Sequence, residues 1–167
     1  FSTLLSGCSV LPFGGEREEP ETSEQILYRM ARTSMRTGAY DEAIERFRML
    51  ESRFPFGEYA EQAQLEIVYA HYKAYDPDAA RSAADRFIRL HPQHPDVDYA
   101  WYLKGVAAFE RDRGAFDAIV PMDRSKRDIG GAREAFVDFQ QLLARFPDSE
   151  YAADARMRMV HIRNLMA

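Results

Sequence analysis

The stretch Glu24–Pro55, EQILYRMARTSMRTGAYDEAIERFRMLESRFP, decides the fold. Ile26, Leu27, Met30, Ala31 and Ser34 recur at the spacing that places them on one helical face. Gly38 suits the left-handed position that ends a helix, and Asp41 suits the first turn of the next one. Ala43, Ile44, Phe47 and Leu50 then form a second apolar stripe, which Pro55 stops. The stretch therefore predicts two amphipathic helices, Glu24 to about Thr37 and about Tyr40 to Phe54, joined by a glycine turn.

The end of this hairpin returns further along the chain. RFPFGEYAEQA (Arg53–Ala63) reappears as RFPDSEYAADA (Arg145–Ala155), and RLHPQHPDVDYA (Arg89–Ala100) is a looser copy. The anchoring prolines Pro55, Pro92 and Pro147 lie 37 and 55 residues apart. The excess of 18 matches GAFDAIVPMDRSKRDIGG, residues 114–131, which reads as an insertion. Its Asp123, Arg124, Lys126, Arg127 and Asp128 read as an ion-paired brace.

The hairpin resembles the tetratricopeptide (TPR) pattern, with Gly38 and Tyr40 at the turn, Ala43 and Phe47 in the second helix and Pro55 closing the repeat. Small Ala31 and Ala43 fall where the paired helices of that family cross closely. A second unit carries Leu65, Val68, Tyr69 and Tyr72, then Ala80, Ala84 and Phe87. It lacks a turn glycine in KAYDPDAA and puts Tyr69 at the small position, or one residue from it. A third begins with Trp101 and Gly105 and resumes after the insertion with Ala135, Phe139 and Leu142. Ser149 to about Leu165 reads as one more helix, the first half of a fourth repeat. The expected fold is all-α: a TPR-type superhelix over residues 24–167, about three repeats plus one helix, in which each hairpin buries its apolar face on its neighbour. Met157, Met159, Val160 and Ile162 would then lack part of their partner surface, as in a clipped chain.

Composition narrows the function. Hydrophobic residues make up 46% and charged residues 29% of the 167. The net charge is −5, of which −4 lies between Glu16 and Glu24. The remaining body is near neutral and offers no broad cationic face for nucleic acid. No glycine-rich phosphate loop or nucleophile with a neighbouring base is present, so no catalytic residue is assigned. His91, His94, Asp96 and Asp98 lack the regular spacing of metal sites and read as a helix-linking loop; no metal or cofactor is expected. His71 and His161 sit on helical patterns without catalytic partners.

The single cysteine stands in LLSGCSV, Leu4–Val10. Leu5-Ser6-Gly7-Cys8 resembles the lipobox of bacterial lipoproteins. That resemblance makes residues 1–7 the remnant of a signal segment, Cys8 the lipidated first residue of the mature protein, and residues 8–23 a flexible acidic tether. Ser9 after the cysteine resembles the sorting pattern for the outer membrane.

Lipobox, tether and repeats together resemble the BamD (ComL) family of outer-membrane assembly lipoproteins. RFPFGEYAEQAQLEIVYAHYK, DRFIRLHPQHPDVDYAWYLKG, MDRSKRD and AREAFVDFQQLLARFPDSEYA carry the match. The resemblance implies a non-catalytic scaffold, lipid-anchored on the periplasmic face of the outer membrane of a Gram-negative bacterium. Its implied partners are unfolded outer-membrane proteins, bound through their C-terminal targeting strands, a BamA-type barrel protein and other assembly lipoproteins. Family members continue for about two further repeats, which carry most of the BamA contact. The alternative is another periplasmic TPR adaptor lipoprotein, for example one coordinating cell-wall enzymes.

In a TPR array the first helix of each hairpin lines a concave channel. The pattern places Tyr28, Arg32, Met35 and Arg36 there, then Tyr102, Val106 and Phe109, with Glu66 and Lys73 from the second unit. Aromatics beside arginines suit an extended peptide with aromatic side chains and a terminal carboxylate. Phe56, in a turn with no obvious core to enter, is a further candidate peptide contact.

Overall fold

The computed structural model describes residues 23–111 and 130–166. Among these run seven helices and no strand: α1 (Glu24–Thr37), α2 (Tyr40–Arg53), α3 (Ala60–Lys73), α4 (Pro77–Leu90), α5 (Val97–Arg111), α6 (Gly130–Arg145) and α7 (Ala152–Met166). Each helix packs on the next in sequence, and α3 also touches α5, so the odd-numbered helices stand side by side along the array. The all-α hairpin superhelix is what the periodicity predicts. Cys8, the tether and most of the 114–131 segment lie outside the described residues. The end of that segment differs from the expectation: Gly130 and Gly131 already belong to α6. No helix among the described residues is long and apolar enough to cross a membrane.

The three copies of the repeated phrase fold alike. The N–H of Phe54, His91 and Phe146 each donates to the carbonyl four residues back, at 2.8 Å in every copy. Three residues on, Gly57, His94 and Ser149 donate to those same residues' carbonyls, at 3.0, 3.1 and 3.1 Å. Ala60, Val97 and Ala152 then repeat the step at the start of α3, α5 and α7. RLHPQHPDVDYA is thus a true copy despite its loose sequence.

The hairpin turns match as well. Gly38, at φ 77°, donates to Met35 O while Ala39 donates to Ser34 O, the paired bonds that satisfy a helix's last carbonyls. Tyr75 and Asp76 make the same two bonds to Tyr72 O and His71 O. Tyr75 therefore takes the glycine's place at φ 60°, the sole non-glycine residue in that region among the described residues. Its side chain is 89% exposed, so it gains little from packing in return for the strain. Tyr75→Gly is expected to raise stability by about 0.5–1 kcal/mol, the relieved strain outweighing the added chain entropy; urea unfolding midpoints check this.

This alignment fixes the register that the sequence left open. Val68, twelve residues before Ala80 as Ala31 is before Ala43, holds the small position and is fully buried; Tyr69 is its neighbour. Core volume is traded across each crossing. Ala31 shares a cluster with Phe47, the larger Val68 meets Ala84, and Gly105 meets Phe139. A Cβ on Gly105 would lie 2.7 Å from the Phe139 ring. Where the inner helix carries more, the outer one carries less, as close-packed interiors require.

Candidate functional site

The inner helices present a row of tyrosines. Tyr28 of α1 stacks on Tyr59 at 4.6 Å, and Tyr102 of α5 stacks on Tyr151 at 4.8 Å, both pairs at 22°. Tyr99 extends the second pair, 5.1 Å from Tyr151. Between the pairs opens a cleft of about 350 Å³ with Tyr69, Tyr99 and Tyr151 in its walls. Leu65 and the Arg32–Glu66 ion pair also line it, with Gln62 and Asp96 completing the wall.

The electrostatics keep the rings neutral. Burial pushes the Tyr99 and Tyr151 hydroxyls up, and nearby tyrosines and carboxylates push the same way. Burial also raises Tyr102, helped by its 2.7 Å hydrogen bond to Asp154. Burial opposes ionisation of Asp154, yet the Arg158 and Tyr102 hydrogen bonds hold its carboxyl below the usual range. Tyr72, half-buried and donating to Glu110, is pushed up to about 12 by its burial and that carboxylate. These phenols act at neutral pH as ring faces and hydrogen-bond donors.

Each expected groove residue can now be placed. Tyr28 and Tyr102 are half-buried in the stacked pairs, and Arg32 is in the cleft wall. Arg32 is not free for a ligand carboxylate, because Glu66, 8% exposed, already holds it. Arg36 is exposed at the end of α1 and, among the described residues, bonds Thr33 alone. Lys73, at the matching place on α3, is half-buried. Neither has a carboxylate partner among the described residues, so of the expected groove cations these two are open to an anionic group.

Met35, Val106 and Phe109 are corrections: all are buried, at 9%, 3% and 4% exposure. They sit on the inner helices but lean into the hairpin cores, Met35 onto the α1–α2–α3 cluster and Val106 and Phe109 onto α6 and α7. Phe56 is fully exposed in the α2–α3 turn, outside the cleft wall. That turn is fastened from behind, since the Glu24 carboxylate accepts from the N–H of Glu58 and Tyr59 at 3.2 and 2.6 Å. Any Cβ on Gly57 would collide with that carboxylate.

Sequence reasoning missed Tyr69, Tyr99, Tyr151 and Asp96 as cleft residues. Aligning the copies on Pro55, Pro92 and Pro147 carried the signal for Asp96 and Tyr151, which fall at the place of Tyr59; Tyr99 lies three residues further on, where the other copies have Gln62 and Asp154. The histidine loop is accounted for by packing: His91 and His94 lie 5.1 and 5.2 Å from Phe87, and their ring nitrogens face Glu61 and Gln64. Among the described residues no three His, Cys, Asp or Glu side chains gather as a metal site.

Helical hairpins repeated in register, with a tyrosine-walled cleft along their first helices, define a repeat protein of the tetratricopeptide class. A tetratricopeptide-repeat family model matches residues 15–159. The outer membrane protein assembly factor BamD of Neisseria meningitidis serogroup B is 44% identical over 140 residues, 84% of this chain and 52% of that protein. BamD of Vibrio cholerae is 38% identical over 165 residues, 99% of this chain and 67% of its own length. That of Xylella fastidiosa strain 9a5c is 37% identical over 169 residues, 98% of this chain and 58% of that protein. The chain belongs to the BamD family, and it spans about half to two-thirds of the length of these relatives.

Proposed function

We propose that this chain is the precursor-receiving part of a lipid-anchored assembly factor on the periplasmic face of the outer membrane. It acts by binding rather than by catalysis. It holds the extended C-terminal segment of an unfolded outer-membrane protein along its inner helices and presents it to the barrel protein and the other assembly lipoproteins. Acylation of Cys8 supplies the anchor; each buried methylene contributes about 0.8 kcal/mol, so several chains hold where one is released. Its likeness to outer membrane protein assembly factors supports the assembly role. The observation that carries the binding reading is the tyrosine-walled cleft spanning α1, α3 and α5, with Arg36 and Lys73, which have no carboxylate partner among the described residues, one helical turn beyond Arg32 and Tyr69 of its wall.

The groove offers ring faces to aromatic side chains and two cations to a terminal carboxylate. A peptide ending in Phe with a free carboxylate is expected to bind about tenfold tighter than its C-terminal amide, the value of one charge-assisted hydrogen bond. Arg36→Ala combined with Lys73→Ala is expected to erase the difference. Fluorescence anisotropy measures both; equal binding of acid and amide by the unaltered protein would remove the carboxylate from the reading.

A further inference from the structure

The cleft lies where the repeat breaks its own rule. Tyr28 and Tyr59 stack in the first repeat, and the equivalent Tyr102 and Tyr151 stack in the third. In the middle repeat the two equivalent positions are Leu65 and Asp96. Two rings are absent there, and the space they would fill is the cleft of about 350 Å³. It is ring-walled, and a carboxylate stands at its rim.

Its charge is also defined. Arg32 and Glu66 neutralise one another. The Asp96 carboxylate, exposed to solvent, has no hydrogen-bond or ion-pair partner among the described residues. The cleft therefore carries one uncompensated negative charge among Tyr69, Tyr99 and Tyr151. Rings and a carboxylate together favour a cation, through the negative ring faces and through direct pairing. A comparable arrangement is already filled where α5 meets α7: Arg158 lies 5.9 Å from the Tyr102 ring centroid and bonds the Asp154 carboxylate beside it. The cleft has the rings and the acid, and the cation in its wall, Arg32, is already held by Glu66.

We infer that this cleft is a subsite for one Lys or Arg side chain of the bound peptide, selecting cation over neutral over anionic residues; the inference rests on the groove reading above. The ligand then carries two opposite signals, an anionic end read by Arg36 and Lys73 and an internal cation read by Asp96.

The test uses seven-residue peptides ending in Phe with a free carboxylate, with Arg, Lys, norleucine or Glu at each interior position in turn. At one position the Arg and Lys peptides are expected to bind about fivefold tighter than norleucine, and the Glu peptide more weakly than norleucine. Asp96→Asn closes the gap while its urea unfolding midpoint stays that of the unaltered protein, Asp96 being exposed and outside the core. A flat series, a preference for Glu, or an unchanged gap in Asp96→Asn would overturn the inference. A second probe stands apart from the peptides: N-acetyl-arginine N-methylamide, titrated into protein with labelled tyrosines, should shift the Tyr69, Tyr99 and Tyr151 ring resonances in the unaltered protein and not in Asp96→Asn. If those shifts appear while no peptide binds saturably, the cleft's cation preference stands and the groove reading falls; if no ring shifts, the inference falls.

Discussion

Phe139→Ala is expected to destabilise the protein by about 3–5 kcal/mol, the range for emptying a buried phenylalanine site. The ring is fully buried between α5, α6 and α7, and Gly105 is shaped around it. The converse change, Gly105→Val, drives a branched side chain into that ring and is expected to cost about 1–3 kcal/mol. The middle repeat supplies a remedy, because its equivalent positions hold Val68 and Ala84. Combining Gly105→Val with Phe139→Ala transplants that pair, so the double variant should recover at least about 1 kcal/mol against the sum of the single losses. Urea unfolding of all four proteins measures the cycle. Strict additivity would show that the two residues do not share one volume.

The second large effect comes from charge. Asp138 is 5% exposed, and its carboxylate receives Arg81 at 2.6 Å and Lys104 at 3.2 Å, tying α4, α5 and α6 together. Arg81 also reaches Glu134, and Lys104 also reaches Asp85. Removing one member of a buried pair leaves its partner desolvated and uncompensated, which costs about 3–5 kcal/mol. Asp138→Ala is expected near 3 kcal/mol, because Glu134 and Asp85 retain part of the pairing. The same unfolding experiment reads it. A loss below about 1 kcal/mol, the level of exposed surface pairs, would place this cluster with the solvent-screened ones.

How much of this was legible depended on the range of the interaction. Helix ends and hairpin turns are local, and Gly38, Asp41 and Pro55 announced them. Packing across one crossing was also readable, since Ala31, Ala43 and Phe47 follow a fixed spacing. Groove facing was only partly readable. Periodicity says which residues share a face but not where the face turns from groove to core, and Met35, Val106 and Phe109 fell on the core side of that line. Arg32 looked free because its partner Glu66 belongs to the next repeat, 34 residues away. The Arg81–Lys104–Asp138 cluster joins three helices across the insertion, and no single helix pattern records it. Tyr75 marked a missing glycine, but only the backbone shows that the tyrosine adopts the glycine's conformation.

The central claim is that the ligand lies along the inner helices. Photo-crosslinking tests it most directly. With p-benzoylphenylalanine at Gln62 or Tyr69 in the cleft, and at Met49 or Val137 exposed on the outer helices α2 and α6, the protein is irradiated with an unfolded outer-membrane precursor. The account predicts adducts from Gln62 and Tyr69 that excess free-carboxylate peptide abolishes, and none from Met49 or Val137. Adducts of equal yield from the outer positions, or inner adducts indifferent to the peptide, would contradict it.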